Sequence, residues 1–194
     1  MLRGTAEVKR RIGDCFRLMV IGEGSERERL MELAVELGLQ DNLVFTGKVP
    51  NEQIRDYLSA GDVFLFASRS ETQGIVLLEA MAAGMPVVAV RASGVVDIVK
   101  DGFNGYMTEE DEGEWAEAVR KIAGHPQRFH EWKEHSVWTA SAYRSSRVAA
   151  MAAQGYRRML EGYREGRSAG VWRRSVRDLI PRGIHMVMVL IDEF

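Results

Sequence analysis

Two glutamates eight positions apart, Glu71 and Glu79, are the residues of this chain whose type and spacing most clearly suggest chemistry. Glu71 lies in a polar stretch, whereas Glu79 lies inside the apolar run IVLLEAMAA. A carboxylate is almost never fully buried without a partner, because removing its water costs several kcal/mol. The sequence therefore predicts that Glu79 has either an internal partner or a bound ligand.

The residues between these acids have the pattern of a helix start that could hold an anion. Gly74 precedes the apolar helical run and would let a ligand approach the backbone without a side chain in the way. Free amides at the start of a helix form an anion site, which suits a diphosphate. Glu71 could accept hydrogen bonds from hydroxyl groups on one side, and Glu79 could reach a second pair of hydroxyls. A phosphate between two such carboxylates is what a nucleotide sugar requires.

A different interpretation of the two acids stays open at this point. Glu71 would be solvated, and Glu79 would form an ion pair with a cation such as Arg69 or Lys48. No ligand would then be needed to explain Glu79. The partner of Glu79 in the folded chain distinguishes the two interpretations.

A glycine-rich turn, Gly22-Glu23-Gly24, follows an apolar run and precedes a helical pattern, as in dinucleotide-binding proteins. The third glycine of that motif would be at position 27, which is Arg27, and the next apolar run ends in Thr46-Gly47 rather than in an acid. Both missing features argue against a dinucleotide such as NAD. The glycines still predict a tight turn between a strand and a helix. Its backbone amides either contact a ligand, or the glycines are needed only for the turn and no ligand binds.

Apolar β-rich runs alternate with helical patterns along the first part of the chain. The strand-like runs are residues 16–21, 43–46, 63–67, 86–90 and 105–108. The helical patterns are residues 25–37, 51–58, 74–83, a segment from about 94, and 112–123. This order predicts an α/β fold with a Rossmann-like parallel sheet flanked by helices. The runs lack alternation, which predicts strands buried on both faces.

Ligands of parallel α/β sheets bind at the carboxyl ends of the strands. Four polar or glycine-rich loops fall at that edge, namely residues 22–25, 46–50, 68–74 and 91–94. The sequence therefore predicts one site to which these loops contribute.

After residue 124 the pattern becomes helical only. We predict a domain over residues 1–142 and a C-terminal helical, Arg-rich extension over residues 143–194. Residues 157–182 contain eight arginines against three acids. Apolar residues such as Trp172 alternate with these arginines, which favours either a solvated helix face or a peripheral contact with anionic lipid.

The composition limits the remaining classes of function. The net charge of −2 gives no general reason to expect nucleic acid as a partner. The single cysteine, Cys15, fits a reducing compartment, so we expect a cytoplasmic protein that is at most peripheral to the membrane. The spacing of the four histidines matches no metal-ligand motif, and we expect neither a metal ion nor a separate cofactor.

Three segments in this order carry a resemblance to a known family: IGEGSERERL, NLVFTGKVP, and YLSAGDVFLFASRSETQGIVLLEAMAAGMPVVAVRASGVVDIVKDGFNGY. Over residues 16–124 the chain resembles the C-terminal, donor-binding domain of family 4 glycosyltransferases, which are retaining enzymes of the GT-B fold. The resemblance implies one half of a GT-B fold and a nucleotide-diphosphate sugar as the donor.

The resemblance also assigns roles to residues. It implies that the catalytic Glu71 contacts the transferred sugar and that Glu79 binds the ribose. It implies that the amides of Gly74, Ile75 and Val76 hold the diphosphate or the sugar, and that residues 47–49 hold the base. The donor-binding residues implied in this way are Gly22, Gly24, Lys48, Val49, Arg69, Gln73, Gly74, Ile75, Val76 and Glu79.

The chain departs from the family pattern at its beginning. Family members start this domain with a strand and a loop that carries an Arg and a Lys, whereas this sequence starts with a pattern that resembles the following helix, near residues 6–12. We therefore expect an N-terminal acceptor-binding domain or chain as a partner, and weak or no transfer by this chain alone, because cations stabilise the departing diphosphate.

The resemblance leaves two functions open. The first is a donor domain for retaining transfer, with a UDP-sugar as the first choice, a GDP-sugar as the second, and a lipid as an acceptor suggested by analogy. The alternative is a non-catalytic partner or degenerate module that retains the fold without turnover.

Overall fold

Helices and strands alternate along the chain in the order that the sequence predicts. The computed structural model describes residues 1–69 and 72–164, so Ser70, Glu71 and residues 165–194 lie outside the described residues. The strands are β1 (Leu18–Ile21), β2 (Leu43–Gly47), β3 (Phe64–Phe66), β4 (Val87–Val90) and β5 (Gly105–Thr108). The helices are α1 (Leu2–Ile12), α2 (Arg27–Glu36), α3 (Asn51–Ser59), α4 (Ile75–Ala82), α5 (Ser93–Val96), α6 (Glu112–Ala123), α7 (Phe129–Ala142) and α8 (Ser145–Arg164).

All strand pairs of the described residues are parallel, but they form two sheets rather than the single sheet that the alternation suggests. β1 pairs with β2, and β3, β4 and β5 form a second sheet with β4 at its centre. Only β4 is buried along its whole length, whereas β1 and β3 are half-buried. The expectation that all strands are buried on both faces is wrong for β2, whose Val44 is 50% exposed. Both faces of β3 are packed, and this strand is only half-buried because one of its edges is open.

The three-stranded sheet is covered by helices on both faces. One face packs against α1, α6 and α7, with Val88, Trp115 and Trp132 at the centre of the contact. The helices α4 and α5 cover the other face through residues such as Leu77 and Val95. This layered arrangement confirms the predicted α/β class.

Helix α4 is buried on three sides, and this determines which of its residues reach solvent. Leu77 and Met81 pack against the sheet, Ala80 packs against Leu58 of α3, and α7 covers a further side. The exposed side carries Ile75, Glu79 and Ala82, which follow one another at helical spacing.

The C-terminal part of the described chain is helical, as expected. Helix α8 carries exposed apolar residues, among them Tyr156 and Leu160. No helix of the described residues is both long enough and apolar enough to cross a membrane. The predicted lipid contact around Trp172 lies outside the described residues, and the boundary after residue 142 stays a prediction.

Candidate functional site

The start of α4 is built on a glycine that no other residue could replace without strain. Gly74 has a φ of 67°, in the left-handed region, and is the residue that precedes the helix. A Cβ added to it would lie 2.3 Å from Cδ1 of Ile98 and 2.5 Å from the carbonyl oxygen of Gly94. Both the backbone angle and the space therefore require glycine here.

The first turn of α4 presents amide groups that the helix itself does not use. The helical hydrogen bonds begin with the amides of Leu77 and Leu78, which donate to the Gly74 carbonyl at 3.1 and 3.2 Å. The amides of Ile75 and Val76 come before them, at the positive end of the helix dipole. The first turn contains no acidic side chain. This end of α4 therefore suits an anion supplied from outside the helix.

Glu79 is exposed, so the premise that it is a buried acid is wrong. Its neighbours along the sequence are apolar, but helical geometry turns Leu77, Ala80 and Met81 inward and Glu79 outward. Glu79 lies one helical turn beyond Ile75, whose side chain is 54% exposed. The Glu79 carboxylate therefore lies on the same exposed side of α4 as Ile75, the first residue of the helix, and is accessible to a ligand there.

The alternative ion pairs expected for Glu79 are not present among the described residues. Arg69 instead donates from Nη1 to Oε2 of Glu110 at 2.9 Å, and Lys48 is exposed without an ion pair in the described part of the chain. A second arginine at this edge, Arg91, donates to Glu109 at 2.6 Å, and this hydrogen bond raises the pKa of Arg91. The two arginines at the ends of β3 and β4 therefore already have acidic partners.

The glycine turns after β1 and β2 meet, as the loop prediction requires. The amide of Gly22 donates to the carbonyl of Gly47 at 3.0 Å. The carbonyl of Gly24 accepts from the amide of Arg27 at 3.2 Å, which closes the turn into α2. The half-buried Val49 follows the exposed Lys48 and leads into α3.

The predicted site residues therefore form two groups. One comprises Gly22, Gly24, Lys48 and Val49 after β1 and β2; the other comprises Arg69, Gln73, Gly74, Ile75, Val76 and Glu79 around the start of α4. Helix α3, which follows Val49 along the chain, packs through Leu58 against Ala80 of α4. The catalytic role predicted for Glu71 concerns a residue outside the described part of the chain.

One residue that contacts the site was missed from the sequence, namely Gly94 in α5. Its backbone lies directly against residues 72–74. Residue 94 closes the loop 91–94 that the sequence places at this edge, but nothing in its type or spacing signals the backbone contact. The partner of that contact is visible only in three dimensions.

A cavity of about 540 Å³ opens between the two sheets, apart from these groups. Residues from both sheets and from α6 line it, including Val20, Phe45, Ala67, Val90 and Trp115. None of the described donor-binding residues predicted from the sequence lines this cavity. The predicted donor-binding residues and the cavity therefore mark two distinct places at which a ligand could be sought.

Comparison with known proteins gives consistent matches. The model of the family described as glycosyl transferases group 1 matches residues 2–136. A D-inositol 3-phosphate glycosyltransferase of Acidothermus cellulolyticus is 33% identical over 150 residues, which cover 68% of this chain and 33% of that protein. The chain spans between 33% and 40% of the length of this relative and two further curated ones.

Solved structures resemble the fold. The pneumococcal O-GlcNAc transferase GtfA, solved with UDP and GlcNAc, superposes with a TM-score of 0.69 at 20% identity, over 82% of this chain and 32% of that one. WaaG, a glycosyltransferase involved in lipopolysaccharide biosynthesis, gives a TM-score of 0.65 at 26% identity, over 74% of this chain and 38% of that one. These matches confirm the expected GT-B type of fold. Because the family model covers most of the described α/β elements, this chain belongs to the glycosyl transferases group 1.

Proposed function

We propose that this chain is the donor-binding part of a retaining glycosyltransferase and that it binds a nucleotide-diphosphate sugar. The observation that carries this proposal is the start of α4, where the amides of Ile75 and Val76 precede the helical hydrogen bonds and the first turn carries no acidic side chain. A diphosphate matches such a site in charge, and its oxygen atoms accept hydrogen bonds from backbone amides.

The remaining groups fit the other parts of such a donor. The exposed carboxylate of Glu79 would accept hydrogen bonds from the ribose hydroxyls, one turn along the helix from the diphosphate. Residues 47–49 would contact the base, and the ammonium of Lys48 would add positive charge. Glu71 would face the transferred sugar, and Gln73 and Arg69 would flank it.

Catalysis would depend on how the site stabilises the departing diphosphate. The negative charge on the diphosphate grows as its bond to the sugar breaks, and fixed amide dipoles at a helix start stabilise such charge. Arg69 and Arg91 each have an acidic partner, so their net effect on this charge is reduced. We therefore propose that efficient transfer also needs an acceptor-binding domain or chain, with a lipid as one acceptor class.

A UDP-sugar is the first choice of donor. The structurally similar pneumococcal transferase GtfA was solved with UDP. Anabaena Alr3699/HepE, which superposes with a TM-score of 0.63, was also solved with UDP. A GDP-sugar is the second choice, because a relative 35% identical over 116 residues, from Mycolicibacterium smegmatis, is named as GDP-mannose-dependent.

Isothermal titration of the full chain with UDP, UDP-glucose and GDP-mannose tests this proposal. We expect Glu79→Gln to weaken UDP binding about tenfold or more. Glutamine has about the size of glutamate, but it lacks the negative charge that strengthens hydrogen bonds from hydroxyl groups. Glu36→Gln, an exposed acid at the last residue of α2, is the control and should bind as the original chain does. No binding of any of the three compounds at millimolar concentration, or equal affinities for both variants, would contradict the proposal.

A further inference from the structure

Gly94, near the start of α5, lies where a side chain would collide with the loop before α4. It is buried, and its backbone is not in the left-handed region, so its φ does not demand glycine. A Cβ at this position would lie 2.7 Å from the carbonyl carbon of Thr72, 2.8 Å from the amide nitrogen of Gln73 and 3.0 Å from that of Gly74. The space around Gly94, and not its backbone angle, therefore requires glycine.

The contact is reciprocal, so two stretches of backbone pack directly on each other. A Cβ on Gly74 would lie 2.5 Å from the carbonyl oxygen of Gly94 and 2.3 Å from Cδ1 of Ile98. Neither glycine can gain a methyl group unless one of the two backbones moves. The position of residues 72–74 is thus coupled to the position of α5.

The α5 side of this contact is the more firmly held. Val95 and Val99 are fully buried in the core that also contains Leu77 of α4. The side-chain amide of the buried Asn104 donates to the carbonyl of Ile98 at 2.9 Å, which anchors the end of this segment. The start of α5 therefore acts as a fixed platform, and the loop before α4 is the part that would shift.

We infer that Gly94 is a positioning residue for the anion site at the start of α4. By lacking a side chain, it lets residues 72–74 pack against α5 and so sets where the amides of Gly74, Ile75 and Val76 point. The part of this inference that concerns ligand binding rests on the function proposed above; the part that concerns the loop does not. Displacement of about 1 Å at a binding or catalytic site can reduce activity about 100-fold.

The test compares Gly94→Ala with the original full chain by ¹H–¹⁵N NMR and by UDP titration. In the absence of ligand, we expect the amide signals of residues 72–76 to shift, while those of β2 and α6 stay in place. We expect the dissociation constant for UDP to rise about tenfold or more. Gly155→Ala in α8, where a Cβ meets nothing within 4 Å, is the control and should change neither readout.

The two readouts separate a positioning role from a purely structural one. If Gly94 were needed only for stability, Gly94→Ala would lower the urea concentration at the midpoint of unfolding and leave the UDP affinity of the folded protein unchanged. If Gly94→Ala does not fold, Ile98→Val takes its place: it removes the Cδ1 atom that abuts Gly74, and we expect a shifted Gly74 signal and a severalfold weaker UDP affinity.

The inference and the proposed function fail in different ways. If the original chain does not bind UDP, the proposed function is wrong, while a shift of residues 72–76 in ligand-free Gly94→Ala still supports the positioning of the loop. If UDP binds, and both the loop signals and the affinity are unchanged in Gly94→Ala, the inference is overturned while the proposed function stands.

Discussion

At the scale of single residues, the exposure of Glu79 depends on helical period and not on sequence neighbours. Leu77, Ala80 and Met81 surround Glu79 in the sequence but are fully buried, whereas Glu79 itself is exposed. The sequence was sufficient to single out Glu79 and Gly74 as candidate site residues, and that assignment stays a prediction. It was not sufficient to reveal Gly94, because the contact between residues 94 and 72–74 joins segments about twenty positions apart and has no signature in residue type.

A prediction at this scale concerns Asn104, a fully buried polar residue. Its side-chain amide donates to the Ile98 carbonyl and to Oγ1 of Thr139, and its oxygen accepts from the amide of Lys100. Asn104→Leu should lower the free energy of unfolding by about 3 kcal/mol, because buried backbone groups lose their partners.

Urea unfolding of the variant and of the original chain measures this loss. Thr139→Val is the matched control and should cost only about 1 kcal/mol, because Asn104 then keeps its two backbone partners. Equal losses for the two variants would show that Asn104 does not anchor this segment.

At the scale of elements, local signals predicted helices and strands well. The bounds of β5 and α6 agree with the prediction, and α6 has a clear local cause: the Asp111 side chain accepts from the amide of Glu114 at 2.8 Å and caps the helix. The division into two sheets was not predictable in the same way. Residue type indicates that β1 and β3 are strands but does not indicate which of their edges is paired.

Ion pairs within α1 and within α6 predict a dependence of stability on pH. Hydrogen bonds from Arg120 lower the pKa of Glu117 from 4.5 to about 2, and Arg11 of α1 also reaches Glu117 at 3.3 Å. A hydrogen bond from Arg11 likewise lowers the pKa of Glu7. Because these values are lower in the folded state, the acids stabilise the fold above about pH 4.5 and lose this effect as the pH falls toward about 2.

The urea midpoint, measured between pH 7 and pH 2, tests this assignment. The original chain should lose more stability across the acid range than Glu117→Gln, which has no carboxylate to protonate at that position. The difference should shrink at high salt, because these carboxylates are only half-buried and salt screens their attraction to the arginines. Parallel curves for the two proteins at low salt would refute the role of Glu117.

At the scale of the whole molecule, α1 joins the two sheets. One side of α1 packs on α6, where Gly4 lies against the ring of Trp115. On another side, Nζ of Lys9 donates to the carbonyl of Gly38 at 2.7 Å and to Oδ1 of Asn42 at 3.0 Å, next to β2. The loop that leads into β2 therefore owes part of its position to α1, whereas the predicted base-binding segment, residues 47–49, lies at the opposite end of that strand.

The central claim is that a nucleotide diphosphate binds at the start of α4, and mapping UDP binding on the full chain by ¹H–¹⁵N NMR tests it most directly. The account predicts that the largest changes fall on the amides of Gly74, Ile75 and Val76, with smaller ones at Lys48 and Val49. Changes centred on the cavity between the sheets, at Val20, Val90 and the indole of Trp115, would contradict it. So would the absence of any change at millimolar UDP.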